Sequence, residues 1–340
     1  MRALDRSNMA TITLRVSGDR AKHGEELAVA DLSAALDAAE GLAWVDMRNP
    51  DEDERKWLLA QGYHEMAVED CFKEPVSKAY VYDSHRFVVV RARDADKEID
   101  TEFLCVFVTD ELLVTVRHSS MPAVKNFGRR FGSKKIQRRV GLGAEYLLYE
   151  ILDAIADDWY RILGGYSAKI DELEDRVFDP NTKYPNILQE LHELKQDLRE
   201  ISKSVTPLHE VVSRMMRPEQ DYISKDCRVY WQDILDVLTK LKSDVESYNA
   251  GAASTRDTYL SQSTMRLAET QAEANDVIRI LTILATLMFP ITAIASIFGM
   301  NIEVFGASTE MFGFTEILGL MAMTSALILG FFYYRGWLSR

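Results

Sequence analysis

The 340-residue sequence contains few cysteines and histidines, and none of either beyond Cys227. Its three cysteines are scattered without a CxxC pair, and its six histidines form no HExxH motif or closely spaced helical pair. These absences exclude a cysteine zinc cluster and fit a reducing compartment. Because zinc favours imidazole and thiolate ligands, no strong zinc ligand lies in the C-terminal part of the chain.

The chain also lacks an excess of positive charge. It has 40 Lys and Arg residues against 53 Asp and Glu, which gives a net charge of -13. This balance argues against a nucleic-acid partner. An acidic chain suits a protein that meets cations, although acidic chains are also common in the cytoplasm. The first thirty residues contain no apolar core of a signal peptide, so we expect the larger part of the chain to stay in the cytoplasm.

Two long apolar runs stand near the C-terminus. Residues 280–298 carry no charge, and a helix of that length rises about 28 Å, close to the thickness of the bilayer core. A second apolar run covers residues 317–334, and no Lys or Arg lies between Ile280 and Tyr334. The positive-inside rule then places both termini in the cytoplasm. The pattern predicts a two-span protein of the inner or plasma membrane.

The N-terminal part, residues 1–142, predicts a cytoplasmic α/β domain. Alternating and β-branched runs predict strands at 11–16, 42–46, 87–91, 102–109 and 112–117, and helices at 31–39 and 52–61. Asp110 and Glu111 mark a tight hairpin between the last two strands. Residues 125–139 contain seven basic residues and no acid. This basic segment is either a solvated edge or a surface that faces lipid headgroups or an acidic neighbour.

Residues 143–279 predict a stalk of long helices, because apolar residues recur at spacings of three and four. The first helix ends near Asp179, and the second contains Pro207, which should kink it. The third begins near Asp221 and meets no proline before Pro290. It predicts one helix of roughly 70 residues that continues into the first span of the hairpin, residues 280–340. So long a helix needs packing partners, which include other subunits.

The first apolar run also carries polar and small residues at helical spacing, at Asn275, Thr282, Ala285, Thr286, Thr292, Ser296 and Gly299. Pro290 removes a backbone hydrogen bond in mid-span and frees the carbonyl near Thr286. A simple membrane anchor needs neither feature, although small residues also serve helix packing. Two spans cannot enclose a pore within one chain.

The end of the first run, Phe298-Gly299-Met300-Asn301, resembles the signature of the CorA family of divalent-cation channels. Other segments agree, so the resemblance covers almost the whole chain: Trp44-Val45-Asp46, Met66-Ala67-Val68-Glu69-Asp70, Asn275-Asp276-Val277, Phe289-Pro290-Ile291-Thr292 and Arg335-Gly336-Trp337-Leu338. The resemblance implies a funnel-shaped homopentamer, with the long helices below two C-terminal transmembrane helices. It implies a transporter and not an enzyme.

The resemblance also implies roles for individual residues. Gly299, Met300 and Asn301 would form a ring at the outer mouth, where the Asn301 amide holds the hydrated ion through its water shell. The loop acids Glu303 and Glu310 complete this mouth. The implied pore-lining and gate residues are Asn275, Ile278, Leu281, Thr282, Ala285, Phe289, Thr292 and Ser296. Ile278, Leu281 and Phe289 would form an apolar constriction that blocks a hydrated ion by excluding water.

Two departures from the family pattern stand out. Residues 302–305 read Ile-Glu-Val-Phe, where members often have Met-Pro-Glu-Leu. Lys240 stands near the place of an aspartate that belongs to an intersubunit magnesium sensor. Lys240 therefore argues against closure by cytosolic magnesium through this position. If such closure occurs, it uses other acids, such as Asp233, Asp236 or Asp244.

Mg²⁺ keeps its waters and prefers oxygen ligands, so it is the favoured transported ion, with Co²⁺ and Ni²⁺ as mimics. No cofactor is predicted. A Zn²⁺ transporter of the same family, with or without proton coupling, is an alternative. A membrane-anchored enzyme or signalling module is a more distant one, because residues 1–140 show no recognisable spacing of carboxylates and histidines.

Overall fold

The computed structural model describes residues 10–18, 24–95, 99–179, 186–217, 222–300 and 313–337. The chain divides into two compact units, Met1–Asp257 and Thr258–Arg340. The strands, β1 to β7, are Thr11–Val16, Glu25–Leu27, Ala43–Arg48, Lys78–Val81, Arg86–Arg93, Thr101–Val108 and Leu112–Arg117. The α-helices, α1 to α9, are Val29–Asp37, Glu52–Ala60, Glu65–Asp70, Pro122–Arg130, Lys134–Gln137, Ala144–Phe178, Ile187–Met215, Arg228–Phe298 and Phe314–Tyr334.

The strands form one seven-stranded sheet in the order β2-β1-β3-β7-β6-β5-β4. Neighbouring strands are antiparallel except β3 and β7, which run parallel with Asp46 opposite Thr115. The predicted hairpin at Asp110 and Glu111 joins the antiparallel strands β6 and β7. The five predicted strands are thus confirmed, and the short strands β2 and β4 at the two edges are additions that sequence pattern missed.

Helices cover both faces of the sheet. Leu32, Leu58 and Val68 bring α1, α2 and α3 into one buried cluster with alternate residues of the strands. On the opposite face, the Trp44 ring packs against Phe127 of α4 with ring centroids 4.6 Å apart. The seven strands and helices α1 to α5 therefore form an α/β fold with a central sheet, which is the fold class that the sequence predicts.

Buried hydrogen bonds and ion pairs tie the sheet to the first long helices. The Ser204 hydroxyl of α7 donates to the Arg91 carbonyl of β5 at 2.7 Å, and Trp159 of α6 donates to that hydroxyl at 2.9 Å. Arg93 of β5 pairs with Asp158 of α6 at 2.8 Å, and both side chains are largely buried. The helices α6 and α7 are thus fixed to β5 through polar groups that have partners.

The third long helix, α8, is assigned without a break over 71 residues. The predicted apolar stripe of its first half is buried, with Ile234, Leu238, Leu241 and Val245 each at most 2% exposed. Pro290 lies inside α8, and Pro207 lies inside α7. The prediction of one helix of roughly 70 residues that includes the first apolar run is confirmed, with a start at Arg228 instead of near Asp221.

The basic segment 125–139 folds into α4 and α5, whose apolar residues are buried while most of the cations are exposed. Lys135 lies 3.2 Å and Arg130 lies 4.0 Å from the carboxylate of Glu150, which is almost fully buried. Part of this charge therefore finds its acidic neighbour on α6 of the same chain.

Asp153 of α6 makes the stability of the first unit depend on pH. The pKa of its carboxyl is raised to about 6, first by burial and then by the nearby acids Asp157 and Glu150, while Arg130 and Lys135 oppose the rise. A carboxyl whose pKa is higher in the folded state opposes folding once it ionises, so this penalty grows as the pH rises from about 4 through 6.

We expect Asp153→Asn to raise the melting temperature of the full-length protein above pH 6, because an amide has no charge to desolvate. The gain should shrink as the pH falls toward 4. Thermal melts followed by tryptophan fluorescence at several pH values measure it. Asp171→Asn, at an exposed position on the same helix, is the control and should change little at any pH. A gain that does not depend on pH would contradict this account.

Candidate ion pathway

Within the part of the chain that the structure describes, two helices are long and apolar enough to cross a membrane. They are the C-terminal part of α8 and the whole of α9. None of the most apolar window of α8 is buried in the protein, and hardly any of that of α9. Exposing so much apolar surface to water is unfavourable, so these helices contact lipid or other chains.

The eight predicted pore-lining residues all lie exposed on one side of α8. This candidate pore face consists of Asn275, Ile278, Leu281, Thr282, Ala285, Phe289, Thr292 and Ser296. Phe289, the largest of them, is 77% exposed. At about 100° per residue the eight positions fall within about a third of the helix circumference. The structure thus places the candidates together and leaves their side chains without cover inside the protomer.

The opposite side of α8 is more covered. Ile283, Leu287, Ile291 and Ile294 are half-buried, and helical geometry places them roughly opposite the candidate pore face. The first span therefore has a covered apolar side and an open side with hydroxyl and amide groups.

Two threonines near the start of the span bond back to their own helix. The hydroxyl of Thr282 donates to the Ile278 carbonyl, and that of Thr286 donates to the Thr282 carbonyl, both at 2.7 Å. Each hydroxyl therefore satisfies its hydrogen within α8 and keeps oxygen lone pairs that can accept. Pro290 has no N–H to offer the Thr286 carbonyl, so a further backbone acceptor arises in mid-span.

The first span ends at the predicted outer mouth. After Phe298 the Gly299 N–H still donates to the Ala295 carbonyl at 2.9 Å, and the Met300 N–H donates to Ile297 at 3.4 Å. A Cβ at Gly299 would lie only 3.0 Å from the Ala295 carbonyl oxygen, so this turn favours glycine. Met300 is half exposed. The predicted residues Asn301, Glu303 and Glu310 lie outside the described residues.

The other end of the candidate pore face carries polar groups. The Asn275 side-chain oxygen accepts from the amide of Gln271 at 3.3 Å. The next residue, Asp276, pairs with Arg279 at 3.2 Å. A neutral amide at Asn275 thus stands on the open face, while the neighbouring charges compensate each other.

Lys240, which the family resemblance places near a sensor aspartate, points its ammonium toward Tyr160 of α6, with 3.3 Å to the phenol oxygen. This contact raises the pKa of Lys240 and keeps it charged. Asp236 accepts a hydrogen bond from Gln232 at 2.9 Å. In the described ranges no three His, Cys, Asp or Glu side chains are grouped so that they could hold a metal ion.

One feature of the hairpin was missed by sequence reasoning. Phe332 of α9 is 5% exposed, and its ring stacks on Trp337 with centroids 5.5 Å apart. Both residues border an apolar groove that also includes Thr282 and Thr286. The aromatic residues at the end of the second run were the only sequence signal for it.

Comparison with known proteins agrees with the geometry. A family model described as CorA-like Mg²⁺ transporter protein matches residues 39–335. The YfjQ protein of Bacillus subtilis is 27% identical over 297 residues, which cover 86% of this chain and 89% of that protein. The cobalt/magnesium transport protein CorA of Thermotoga maritima is 27% identical over 287 residues, which cover 82% of this chain and 77% of the relative.

Among solved structures, the complete CorA magnesium transporter from Methanocaldococcus jannaschii matches with a TM-score of 0.64 and 19% identity. The match covers 99% of this chain and 100% of that one, so the two share a fold from end to end. The fold comprises an N-terminal α/β domain, long helices and two C-terminal apolar helices. Since the family model spans most of the sequence, the protein belongs to the CorA-like Mg²⁺ transporter family, whose members are membrane transporters of divalent cations.

Proposed function

We propose that five copies of this chain assemble around a central pore lined by the candidate pore face, through which hydrated Mg²⁺ enters the cell. One observation carries the proposal: the eight candidate residues lie together on the open side of α8, opposite the covered apolar side. A polar, open side in a membrane span needs water or another chain against it. A ring of identical chains supplies both.

We propose that three consecutive segments of the chain have different roles. Residues 1–142 form the cytoplasmic domain, residues 143–279 the stalk, and residues 280–340 the membrane hairpin. Both termini lie in the cytoplasm and the loop between the spans lies outside the inner or plasma membrane, because Arg279 and Arg335 flank the hairpin and no cation lies between them. Lipids and further copies of the chain are the proposed partners.

The donor chemistry supports Mg²⁺. The candidate pore offers hydroxyl, amide and carbonyl oxygens, and the sequence beyond Cys227 has no imidazole or thiol. Such oxygens hold a hydrated ion through its waters. We propose Gly299, Met300 and Asn301 as the selective ring, with Glu303 and Glu310 attracting cations. Inward flow needs no ATP, since a divalent ion gains about 4.6 kcal/mol per 100 mV of inside-negative potential.

Co²⁺ and Ni²⁺ are proposed as mimics of Mg²⁺, and Zn²⁺ is the alternative cargo. Proteoliposome flux with Mg²⁺ or Zn²⁺, each with and without a pH gradient, separates the readings. A larger Mg²⁺ flux that does not change with the pH gradient supports the proposal. A larger Zn²⁺ flux that increases with the pH gradient supports a proton-coupled zinc transporter.

Oligomerisation is tested by mass. The protomer is 38.7 kDa, so we expect a detergent-corrected mass of five times that value, about 194 kDa. The open side of α8 requires partners in the membrane, and two spans cannot surround a pore. Light scattering with refractive-index detection measures the mass. A monomer that still conducts ions would refute the proposal.

The mouth is tested by Asn301→Ala. We expect at least a tenfold loss of Mg²⁺ flux with an unchanged assembly mass, because the variant loses the amide that holds the water shell. Proteoliposome uptake measures flux. Asn126→Ala, an exposed asparagine of α4, is the matched control and should conduct normally. Wild-type flux through Asn301→Ala would show that this residue only caps the helix.

The gate is tested by Leu281→Asn. In a five-fold ring this side chain narrows the pore with an apolar surface that expels water, so an amide there should keep water and raise basal flux. Leu287→Asn makes the same change six residues along, on the half-buried side of α8 opposite the candidate pore face, and should lower thermal stability without a leak. Flux and melting temperature are read on both variants. Reduced stability without a leak in Leu281→Asn would place Leu281 in ordinary packing.

A further inference from the structure

The membrane hairpin carries an apolar groove that shares one wall residue, Thr282, with the edge of the candidate pore face and is otherwise not used by the transport proposal. It has a volume of about 330 Å³ and lies between α8 and α9. Its walls are Thr282 and Thr286 of α8 with Leu327, Ile328, Phe331, Phe332 and Trp337 from the C-terminal end of the chain. The walls are almost wholly apolar, because both hydroxyls donate to carbonyls of α8 itself. Whatever fills the groove must therefore be apolar.

The groove lies at the end of the hairpin that carries cations. Arg279 is one turn before Ile283 on α8, and Arg335 is one turn after Phe331 at the end of α9. Asp276 pairs with Arg279 at 3.2 Å, whereas the Arg335 guanidinium is exposed and lies 5.9 Å from the centre of the Phe331 ring. An apolar slot with an exposed cation one turn away matches an acyl chain joined to a phosphate headgroup.

We propose that this groove binds an acyl chain of an anionic phospholipid in the cytoplasmic leaflet, and that Arg335 holds its phosphate. The charge at Arg335 selects an anionic over a zwitterionic lipid, since a cation near the membrane surface attracts negative headgroups. The inference rests on the proposed orientation of the hairpin in the bilayer but not on the pore, so it can fail or hold whatever ion the protein carries. The competing occupant is a neighbouring copy of the chain.

Trp337 is a native probe of the groove. The other four tryptophans, Trp44, Trp57, Trp159 and Trp231, are buried in the first unit. Full-length protein is reconstituted in phosphatidylcholine vesicles that contain increasing fractions of dibrominated phosphatidylglycerol or, separately, dibrominated phosphatidylcholine. Bromine quenches a nearby indole. We expect half-maximal quenching at an about fivefold lower mole fraction of phosphatidylglycerol, the preference that one basic residue gives.

Variants assign this preference to the groove. Arg335→Gln should make the two quenching curves coincide. Each curve is normalised to its own unquenched fluorescence, so the ratio of the two midpoints does not depend on how much protein inserts. Leu327→Phe narrows the groove and should weaken quenching by both lipids. Leu329→Phe makes the same change on α9 outside the groove and should quench as the wild type does.

Two results would overturn the proposal. Equal curves for the two lipids in the wild type would mean ordinary contact with the bilayer. Weak quenching that Leu327→Phe leaves unchanged would mean that a neighbouring protomer fills the groove.

Discussion

The structure depends on one constraint, the cost of placing polar groups in hydrocarbon. A spanning segment must satisfy its backbone internally, so each apolar run has to be helical. The first span also carries hydroxyls, an amide and a proline-freed carbonyl along one side. The hydroxyls of Thr282 and Thr286 donate within α8, whereas the amide of Asn275 and the carbonyl that Pro290 frees still need water or another chain. This cost is the physical reason for the central pore that we propose.

The sheet, α6, α7 and the first half of α8 belong to the first unit. The sheet fixes α6 and α7 through buried polar contacts such as Arg93 with Asp158, and the first half of α8 buries its apolar stripe in the same unit. Beyond residue 257 the helix continues without a break into the second unit. Between Gly251 and Pro290 this helix contains no glycine or proline.

The sequence predicted much of this because the strongest signals are local. Alternation gave the five longer strands, proline spacing gave the length of α8, and the absence of charge gave both spans. The short edge strands β2 and β4 escaped because three or four residues carry too little pattern. Buried pairs such as Arg93 with Asp158 join residues 65 positions apart, and nothing in the local pattern marks them. The groove beside Trp337 escaped for the same reason, since it arises only where two helices meet.

For the candidate pore face, the positions of the residues could be predicted from the sequence, but their roles could not. Helical spacing and the family resemblance together named the eight residues of the candidate pore face, and the structure shows that all of them are exposed. The role of each residue depends on neighbouring chains, which no single sequence pattern describes. The contact between Lys240 and Tyr160 also escaped sequence reasoning, because it joins residues 80 positions apart.

The most direct test of the account is whether water reaches the candidate pore face in the assembled protein. Single cysteines at Thr292 and at Ile294 can be probed in membranes with a charged, water-soluble thiol reagent. The native Cys71, Cys105 and Cys227 are buried, and burial raises the pKa of Cys71 and Cys227, so they should contribute little background. The account predicts that Thr292→Cys reacts and that its reaction blocks Mg²⁺ flux, while Ile294→Cys does not react. Equal reactivity at both positions, or reaction at Ile294→Cys alone, would contradict it.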